Sequence, residues 1–295
     1  MYYLRKILKF IRSVLSCIIC WIGTRLVRWH IITPRVVRYI DGGICSQISM
    51  YVVGEYYKWR GFDVYYDLNW FKYSGKDMFG KAQRIYELQE MFPQLEVKTL
   101  SKFQTWFYKE FMYYKPLNRL GPAPEIINHS IYLTGYIGVK WDASEDPYKT
   151  YFTLSAMNVP PKIIEDRNYT YCGIHVRRGD LANVILQDYG TVSEGYFLRA
   201  IDYVLANYKN VKFLFFSDGL DWVEQNITPF VHAPFELMKG NKAYEDLGLL
   251  AQCPIIIASQ GSFGKMAARI NPDATLIMCD NEYANRTRPN TILIK

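Results

Sequence analysis

Clustered metal ligands are what this sequence most plainly lacks. Its 295 residues include six cysteines and four histidines, and their wide spacing matches neither a disulfide framework nor a zinc site. The Cys-x-x-Cys pair of Cys17 and Cys20 lies in an apolar stretch with basic flanks rather than after a strand, so we infer no redox site. No Asp-x-Asp pair is present to hold a divalent ion on a phosphate. We therefore expect neither a metal ion nor another cofactor.

Acidic residues are missing from the first 40 positions, which are rich in lysine and arginine. The formal net charge of +7 comes largely from this stretch, and the rest of the chain is close to neutral. Nucleic-acid binding needs positive charge clustered across a folded domain. We therefore expect no nucleic-acid partner.

A long uninterrupted apolar run is also lacking. Apolar side chains recur at helical spacing within residues 4–32, but the longest uncharged run, 13–24, is shorter than the ~20 residues that a bilayer span needs. No small-x-small cleavage site follows, which argues against a signal peptide. We predict that residues 1–34 form a basic amphipathic helix attached to a membrane surface.

Two α/β lobes are predicted for the rest of the chain. Pro160 and Pro161 mark their boundary, which gives an N-terminal lobe over 35–160 and a C-terminal lobe over 161–295. The first begins with a strand, a glycine turn, a helical pattern and a second strand. In the other lobe, helical patterns alternate with strands at 171–176, 211–216, 255–259 and 275–279. This alternation predicts a parallel, doubly wound sheet.

The turn after the first strand is a candidate binding site. Gly42 and Gly43 allow a ligand to approach the backbone, and the helix that follows, with Gln47 near its start, exposes an N-terminus. The stretch is neither a G-x-G-x-x-G fingerprint nor a P-loop, and tight packing explains two glycines equally well.

Three strands of the second lobe end in polar turns, and the ends of parallel strands meet at one edge of the sheet. After the first strand, His175 and Arg177 project to one side and Arg178 to the other. Arg177 is thus a candidate phosphate ligand, whereas Arg178 and Asp180 suit an ion pair across the turn. The other two turns contribute Ser217 and Asp218, and Ser259, Ser262 and Phe263.

These turns together predict a pocket for a nucleoside diphosphate. Ser262 is placed to cap the helix that follows it, whose free amide groups would face a phosphate. Asp218 would repel phosphate, so it suits a base or ribose instead. The region from Gln104 to Tyr114 is rich in aromatic residues, which most often form core but can also line a carbohydrate groove.

Three motifs of the second lobe resemble those of the α-1,2-fucosyltransferases, glycosyltransferase family 11. Residues 175–180, His-Val-Arg-Arg-Gly-Asp, are similar to the family's His-x-Arg-Arg-x-Asp, and 216–222, Phe-Ser-Asp-Gly-Leu-Asp-Trp, to its Phe-Ser-Asp-Asp-x-x-Trp. Residues 246–264 resemble Asp-Leu-x-Leu-Leu-x-Gln-Cys with a terminal Ser-Phe-Gly. Residues 41–47 correspond loosely to Gly-Gly-Leu-Gly-Asn-Gln. The resemblance covers roughly residues 36–280.

This resemblance implies a GT-B-like enzyme with two Rossmann-type lobes. It would transfer L-fucose from GDP-β-L-fucose to a hydroxyl of a galactose-containing oligosaccharide, with inversion and without a metal, to give an α-1,2 linkage. Arg177 would hold the diphosphate and neutralise the departing GDP, and His175 would support the pocket. The other residues expected in the binding site are Arg178, Asp180, Ser217, Asp218, Asp246, Ser259, Ser262, Phe263, Gly42, Gly43 and Gln47.

Several alternatives stay open at this point. Asp41, Asp67 and Asp180 are all candidates for the base that an inverting transfer needs. The protein would alternatively be another GDP-fucose-dependent glycosyltransferase, or a non-catalytic glycan- or nucleotide-binding protein, which the presence of Arg177 disfavours. Four glycosylation sequons would suit the Golgi lumen. The short apolar run and the missing disulfide pattern favour the cytoplasmic face of a bacterial membrane.

Overall fold

The structure is a computed structural model, and it describes residues 2–76, 80, 83–114, 123, 128–139, 146–159, 168–178, 192–280 and 291–295. The chain divides into two units. The first comprises Met1–Asp77, Gln83–Tyr86 and Leu95–Pro147, and the second comprises Met78–Ala82, Glu87–Gln94 and Tyr148–Lys295. The predicted boundary between 160 and 161 lies outside the described residues, later in the chain than the division at Pro147.

Helix α1, Tyr2–Arg28, is 27 residues long and has no buried residue. By length and composition it is long and apolar enough to cross a membrane, a test that N-terminal signal sequences also pass. The prediction that this segment is too short to span counted only the uncharged run 13–24. The helix extends beyond that run at both ends, and long basic side chains near helix ends can reach the polar lipid region.

The first unit is built on a four-stranded sheet of order β2-β1-β4-β3. All of its neighbouring strands are parallel, which agrees with the Rossmann-type lobe that the family resemblance implies. Its strands are β1 (Arg35–Tyr39), β2 (Asp63–Asp67), β3 (Tyr113–Tyr114) and β4 (Ile131–Leu133). Helix α2 (Ile44–Trp59) connects β1 to β2, and two shorter helices follow, α3 (Asn69–Tyr73) and α5 (Lys102–Phe111). Between them in the chain, α4 (Leu88–Met91) belongs to the second unit.

The second unit is built on a six-stranded, fully parallel sheet of order β10-β9-β8-β5-β6-β7. The strands are β5 (Thr170–Val176), β6 (Val211–Ser217), β7 (Phe235–Leu237), β8 (Ile255–Ala258), β9 (Thr275–Cys279) and β10 (Thr291–Ile294). The helices are α6 (Pro147–Thr150), which begins at the division, α7 (Glu194–Asn207), α8 (Leu220–Asn226), α9 (Ala243–Gln252) and α10 (Phe263–Ile270).

This strand order has a topological switch between β5 and β8. From β5 the chain builds outward through β6 and β7, and it then returns to place β8 on the other side of β5. That is the Rossmann order, in which ligands bind beyond the carboxyl ends of the strands at the switch. The predicted α/β class and the parallel, doubly wound second lobe are confirmed.

Close packing of helices on the central strands defines the second unit's core. Ile255, Ile256 and Ile257 are all buried, as expected for a strand covered on both faces. A Cβ at Gly173 of β5 would lie 2.5 Å from Leu250 Cδ1 of α9, so glycine sets how near that helix approaches. The buried Cys253 lies at the same contact, as a small hydrophobic residue.

The shortest and most exposed helices and strands were not predicted from the sequence. Strands 171–176, 211–216, 255–259 and 275–279 are present within a residue of their predicted ends. By contrast, β7 and α3 were not predicted, since three and five residues carry no clear periodicity. The edge strand β10 was missed for a similar reason.

Candidate functional site

The predicted site residues of the second unit gather at the carboxyl ends of β5, β6 and β8. His175 of β5 pairs with Phe216 of β6 on one side and Ala258 of β8 on the other. The turns that follow these strands therefore begin side by side at the topological switch.

Arg177 is fixed at this edge by two neighbouring turns. Its Nη1 lies 3.0 Å from Asp218 Oδ2, and its backbone N–H donates to Ser259 Oγ at 3.1 Å. The backbone N–H of Arg178 donates to Asp218 Oδ1 at 2.7 Å. Both carboxylate oxygens of Asp218 thus bind the turn after β5, which makes Asp218 a positioning residue for Arg177. Its predicted contact with a nucleoside stays a prediction.

Arg178 takes a different direction from Arg177, as the strand alternation predicts. Its guanidinium carbon lies 3.4 Å from the centroid of the Trp222 ring, and its Nη1 donates to the carbonyl of Val192 at 3.3 Å. Partial burial lowers the pKa of Arg178, although its charge persists at neutral pH. The predicted ion pair with Asp180 lies outside the described residues. Trp222 had no predicted role, even though it stands in one of the quoted motifs.

His175 is buried and uncharged rather than a second cation. Its ring stacks on Phe263, with centroids 4.7 Å apart and planes inclined by 20°, and its Nδ1 lies 3.1 Å from Ser259 Oγ. Burial lowers the pKa of His175 to about 4, and the nearby charge of Asp218 opposes this only in part. At neutral pH His175 therefore acts as a neutral hydrogen-bonding group that supports the pocket wall.

Two serines join the strand ends instead of pointing outward. Ser217 Oγ donates to the carbonyl of Val176 at 2.7 Å and accepts from the N–H of Gly219 at 3.0 Å. Ser259 is fully buried, and its backbone N–H donates to the carbonyl of His175 at 3.0 Å. The sequence placed both serines at the correct edge, while their proposed contact with a ligand stays a prediction.

Helix α10 begins at this edge with an exposed serine. Ser262 occupies the N-cap position, as predicted, but its side chain makes no capping hydrogen bond. Gly261 has φ of +101°, in the left-handed region that favours glycine, and a Cβ at Gly264 would overlap with Ala258 of β8. The helix start therefore lies close to the strand, with the Ser262 hydroxyl accessible to a ligand.

Asp246 lies in the first turn of α9. Because α9 ends at the amino end of β8, the helix begins at the opposite edge of the sheet, where the other candidate residues lie. Its Oδ1 accepts from Asn241 Nδ2 at 2.9 Å. Burial raises the pKa of Asp246 to about 6, and the hydrogen bond from Asn241 offsets this only partly. A carboxyl group that stays partly protonated near neutral pH can donate as well as accept hydrogen bonds.

The chain matches the family model described as "Glycosyl transferase family 11" over residues 145–290, about half of its length. This region belongs to glycosyltransferase family 11. The three quoted motifs of the second unit all fall inside the matched region, and the loosely similar stretch 41–47 lies before it. The predicted α-1,2-fucosyltransferase family is thereby confirmed at the level of the family.

Curated relatives of this family-11 region are named as fucosyltransferases. Galactoside alpha-(1,2)-fucosyltransferase 1 from Aotus nancymaae is 34% identical over 134 residues, which cover 44% of this chain and 35% of the relative. The protein of the same name from Homo sapiens is 33% identical with the same coverage. The chain thus spans about a third of the length of the curated relatives it matches.

Solved structures of fucosyltransferases are similar to this chain at low identity. A structure of the fucosyltransferase NodZ from Bradyrhizobium matches with a TM-score of 0.45 and 14% identity, covering 84% of this chain and 95% of that one. A structure of POFUT1 in complex with GDP matches with a TM-score of 0.39 and 9% identity, covering 88% and 98%.

Gly219 is where this member departs from the family-11 motif, which has a second Asp there. A Cβ at this position would lie 3.1 Å from Arg178 Cβ, tighter than an ordinary contact. Glycine thus leaves room for Arg178 to lie over Trp222. Among the described residues, no group of three or more His, Cys, Asp and Glu side chains is arranged to hold a metal ion.

The glycine turn that resembles the family's N-terminal motif belongs to the first unit. Gly42 has φ of +77°, and Gly43 is the N-cap residue of α2. Gln47 is fully buried, and its Nε2 donates to the carbonyl oxygens of Gly42 at 3.2 Å and Ile85 at 2.9 Å. Gln47 therefore braces this turn, and the predicted ligand contacts of all three residues stay predictions.

Proposed function

We propose that the protein transfers L-fucose from GDP-β-L-fucose to the 2-hydroxyl of a galactoside, with inversion and without a metal ion. The observation that carries the proposal is Arg177, held by Asp218 and Ser259 at the topological switch of a Rossmann-type sheet. The family-11 match of the same region and the named relatives support fucosyl transfer.

Arg177 is suited to stabilise the negative charge that develops on the leaving group during such a transfer. As the fucosyl centre becomes oxocarbenium-like, negative charge grows on the departing diphosphate, and a fixed guanidinium stabilises it. The ion pair with Asp218 holds the guanidinium before the donor binds, which reduces the cost of ordering it. The Ser262 hydroxyl and the start of α10 supply further donors at the same edge. In this proposal the neutral His175 ring and Phe263 form the pocket wall.

Asp41 is the base that we propose for the acceptor hydroxyl. Asp67 is less suited, since Oδ2 accepts from the Tyr132 hydroxyl at 2.6 Å and Oδ1 from the Asn69 N–H at 2.9 Å. No such bond engages the carboxylate of Asp41 within the described ranges. Burial raises the pKa of Asp41, against the opposing charge of Arg38, which strengthens a general base. The third candidate, Asp180, lies outside the described residues.

The decisive experiment incubates the full chain with GDP-fucose and a panel of galactosides, in EDTA, and follows GDP release. Product NMR then gives the linkage and the anomeric configuration. We expect GDP release that depends on a galactoside and an α-1,2-linked fucose. An unchanged GDP-fucose pool with every acceptor would contradict fucosyl transfer, and a product with another linkage would identify a different GDP-fucose-dependent transferase.

Helix α1 supports membrane association in this proposal. It carries Arg and Lys but no acidic residue, and its apolar side chains are exposed along its length. We place the enzyme at the cytoplasmic face of a bacterial membrane, with the Golgi lumen as the alternative. Extraction of the full chain from membranes distinguishes the attachments, since high salt releases a peripheral helix and only detergent releases a spanning one.

A further inference from the structure

A pocket of about 400 Å³ lies in the first unit, beyond the carboxyl ends of β1 and β2. Its volume is within the usual range of small-molecule sites. The last residues of the two strands, Tyr39 and Asp67, line it, together with residues of α3 and α5. The pocket precedes the family-11 region, so the family match assigns it no role.

One face of α5 forms a wall of this pocket. Lys102, Thr105, Trp106 and Lys109 line it, and their spacing of i, i+3, i+4 and i+7 places them on the same side of a helix. Ser101 and Gln104 form a capping box that fixes where the helix begins. The sequence therefore presents two ammonium groups and one indole ring together.

Trp106 is a fixed, half-exposed aromatic surface. Its ring centroid lies 5.7 Å from that of Phe103 and 5.9 Å from that of Phe111, and the residue is 49% exposed. Neighbouring rings restrict the indole while one part of it faces the pocket. Such an ordered aromatic face binds an apolar ring surface without losing much side-chain freedom.

Another part of the pocket lining is held in place by Asp67. This carboxylate is buried, and it holds the start of α3 through the Asn69 N–H and the sheet through Tyr132. Helix α3 in turn supplies Asn69, Trp70 and Tyr73 to the pocket. Asp67 is therefore a positioning residue, whose oxygens both have hydrogen-bond donors already.

Several polar groups of the pocket have their hydrogen-bonding capacity unused. In the part of the chain that the structure describes, no hydrogen bond or ion pair engages the ammonium groups of Lys102 and Lys109 or the side-chain amide of Asn69. A saccharide suits this combination, because a pyranose has an apolar C–H face for an aromatic ring and hydroxyls around its edge for such groups. A purely apolar ligand would leave these donors without partners.

We propose that this pocket binds a pyranose ring of the saccharide acceptor, stacked on Trp106 and hydrogen-bonded at its edge by Lys102, Lys109 and Asn69. The proposal rests on the proposed fucosyl transfer only in calling the saccharide an acceptor. Saccharide binding by the pocket is a separate property and is measured without any donor.

The test compares Trp106→Ala with Trp59→Ala in the full chain. Trp59 is 50% exposed and ends α2, which places it at the opposite edge of the same sheet, so it is a matched control. Lactose binding is measured by saturation-transfer NMR, and KM and kcat are measured with a lactose acceptor. We expect Trp106→Ala to raise the lactose Kd and the acceptor KM by about tenfold or more. Its kcat and its Kd for GDP should remain unchanged, as should all four values in Trp59→Ala.

Unchanged lactose binding and acceptor KM in Trp106→Ala would overturn the proposal, as would a wild-type protein that neither binds lactose nor uses it. Trp106→Phe keeps a ring at the position and should recover part of the affinity, which a loss of folding would not allow. If lactose binds through Trp106 but no fucose is ever transferred, the proposed function is wrong, while the proposal that the pocket binds a saccharide is supported.

Discussion

Two arginines at strand ends show how different environments give one residue type different roles. Arg38, in β1 of the first unit, is completely buried, with Nη1 donating to the carbonyl of Leu133 and Nη2 to that of Gly135. Burial lowers its pKa to about 10. Arg177, after β5 of the second unit, keeps 25% of its side chain exposed and pairs with Asp218. Arg38 joins one strand end to the next inside the protein, whereas the side chain of Arg177 reaches the surface at the sheet edge.

Position at a strand end does not by itself predict a ligand site. Both arginines follow apolar residues, and both lie near the carboxyl edge of a parallel sheet. What separates them is the acceptor that each guanidinium finds. Carbonyl oxygens at a neighbouring strand end accept hydrogen bonds from Arg38 inside the protein, while Arg177 pairs with a carboxylate and both of those side chains are partly exposed.

The largest effect is expected from Arg177→Ala, which removes the guanidinium that is proposed to bind the diphosphate. Loss of a preorganised donor to a developing charge costs about 3 to 4 kcal/mol in barrier, or roughly 10²- to 10³-fold in kcat. The midpoint of thermal unfolding should stay close to that of the wild type. Arg177→Lys keeps the charge without the fork and should fall in between. Turnover at the wild-type rate in Arg177→Ala would show that the donor binds elsewhere.

Arg38→Met tests whether the buried Arg38 stabilises the fold. The substitution keeps most of the buried stem but leaves the carbonyls of Leu133 and Gly135 without their donor, so we expect a loss of about 2 to 4 kcal/mol in the free energy of unfolding. Chemical denaturation monitored by circular dichroism measures it. Transfer by the fraction that remains folded should persist. A stable but inactive variant would instead place Arg38 in the reaction.

Asp246→Asn is expected to stabilise the protein in a pH-dependent way. The folded-state pKa of about 6 lies above the ordinary value of 3.8, so the folded protein retains a proton that the unfolded chain releases between these values. Stability therefore falls as pH rises through this window, and the cost is complete above pH 6. Removing the charge should add about 1 to 2 kcal/mol at pH 7.5, and the gain should shrink towards pH 4.

Thermal unfolding across this range checks the prediction, with Asp221→Asn as the control, because Asp221 is an exposed acid in the first turn of α8. The same gain in both variants would mean that general charge reduction, and not the burial of Asp246, stabilises the chain.

The smallest effect is expected for His175, whose protonation state should not change near neutral pH. Its folded-state pKa of about 4 lies below the ordinary 6.5, so its contribution to stability is complete above pH 6.5 and is lost as pH falls towards 4. Its ring proton signal, assigned by its loss in His175→Gln, should not shift between pH 5.5 and 8. A midpoint near 6.5 in that NMR titration would show that the ring is solvated and charged.

Sequence reasoning located the sheet edge of the second unit but not the contacts within it. Uninterrupted apolar runs such as 213–216 and 255–258 identify buried strands, and parallel order then brings their ends together. The hydrogen bond from Arg178 to Asp218 depends on strand register across 40 residues, and that from Arg177 to Ser259 on register across 82. No local pattern encodes such pairings, so the roles of Asp218 and Ser259 emerged only from the fold.

The first unit shows the same limit more strongly. Its glycine turn was recognised because left-handed backbone requires Gly42. The pocket between α3 and α5 was not located, because α3 is a five-residue helix without a sequence signature and an aromatic stretch such as that around Trp106 most often forms core. The exposed face of α5 in the structure distinguishes a carbohydrate-binding surface from core packing.

Because Arg178 stacks on Trp222, the fluorescence of this tryptophan should report ligand binding to the second unit. Indole emission shifts in colour when a nearby positive charge moves, and here that charge lies 3.4 Å from the ring centroid, beside the arginine proposed to bind the donor. Titration with GDP should therefore change the tryptophan emission spectrum, and Trp222→Phe should abolish the change. The chain would then report occupancy of its own donor site without any attached dye.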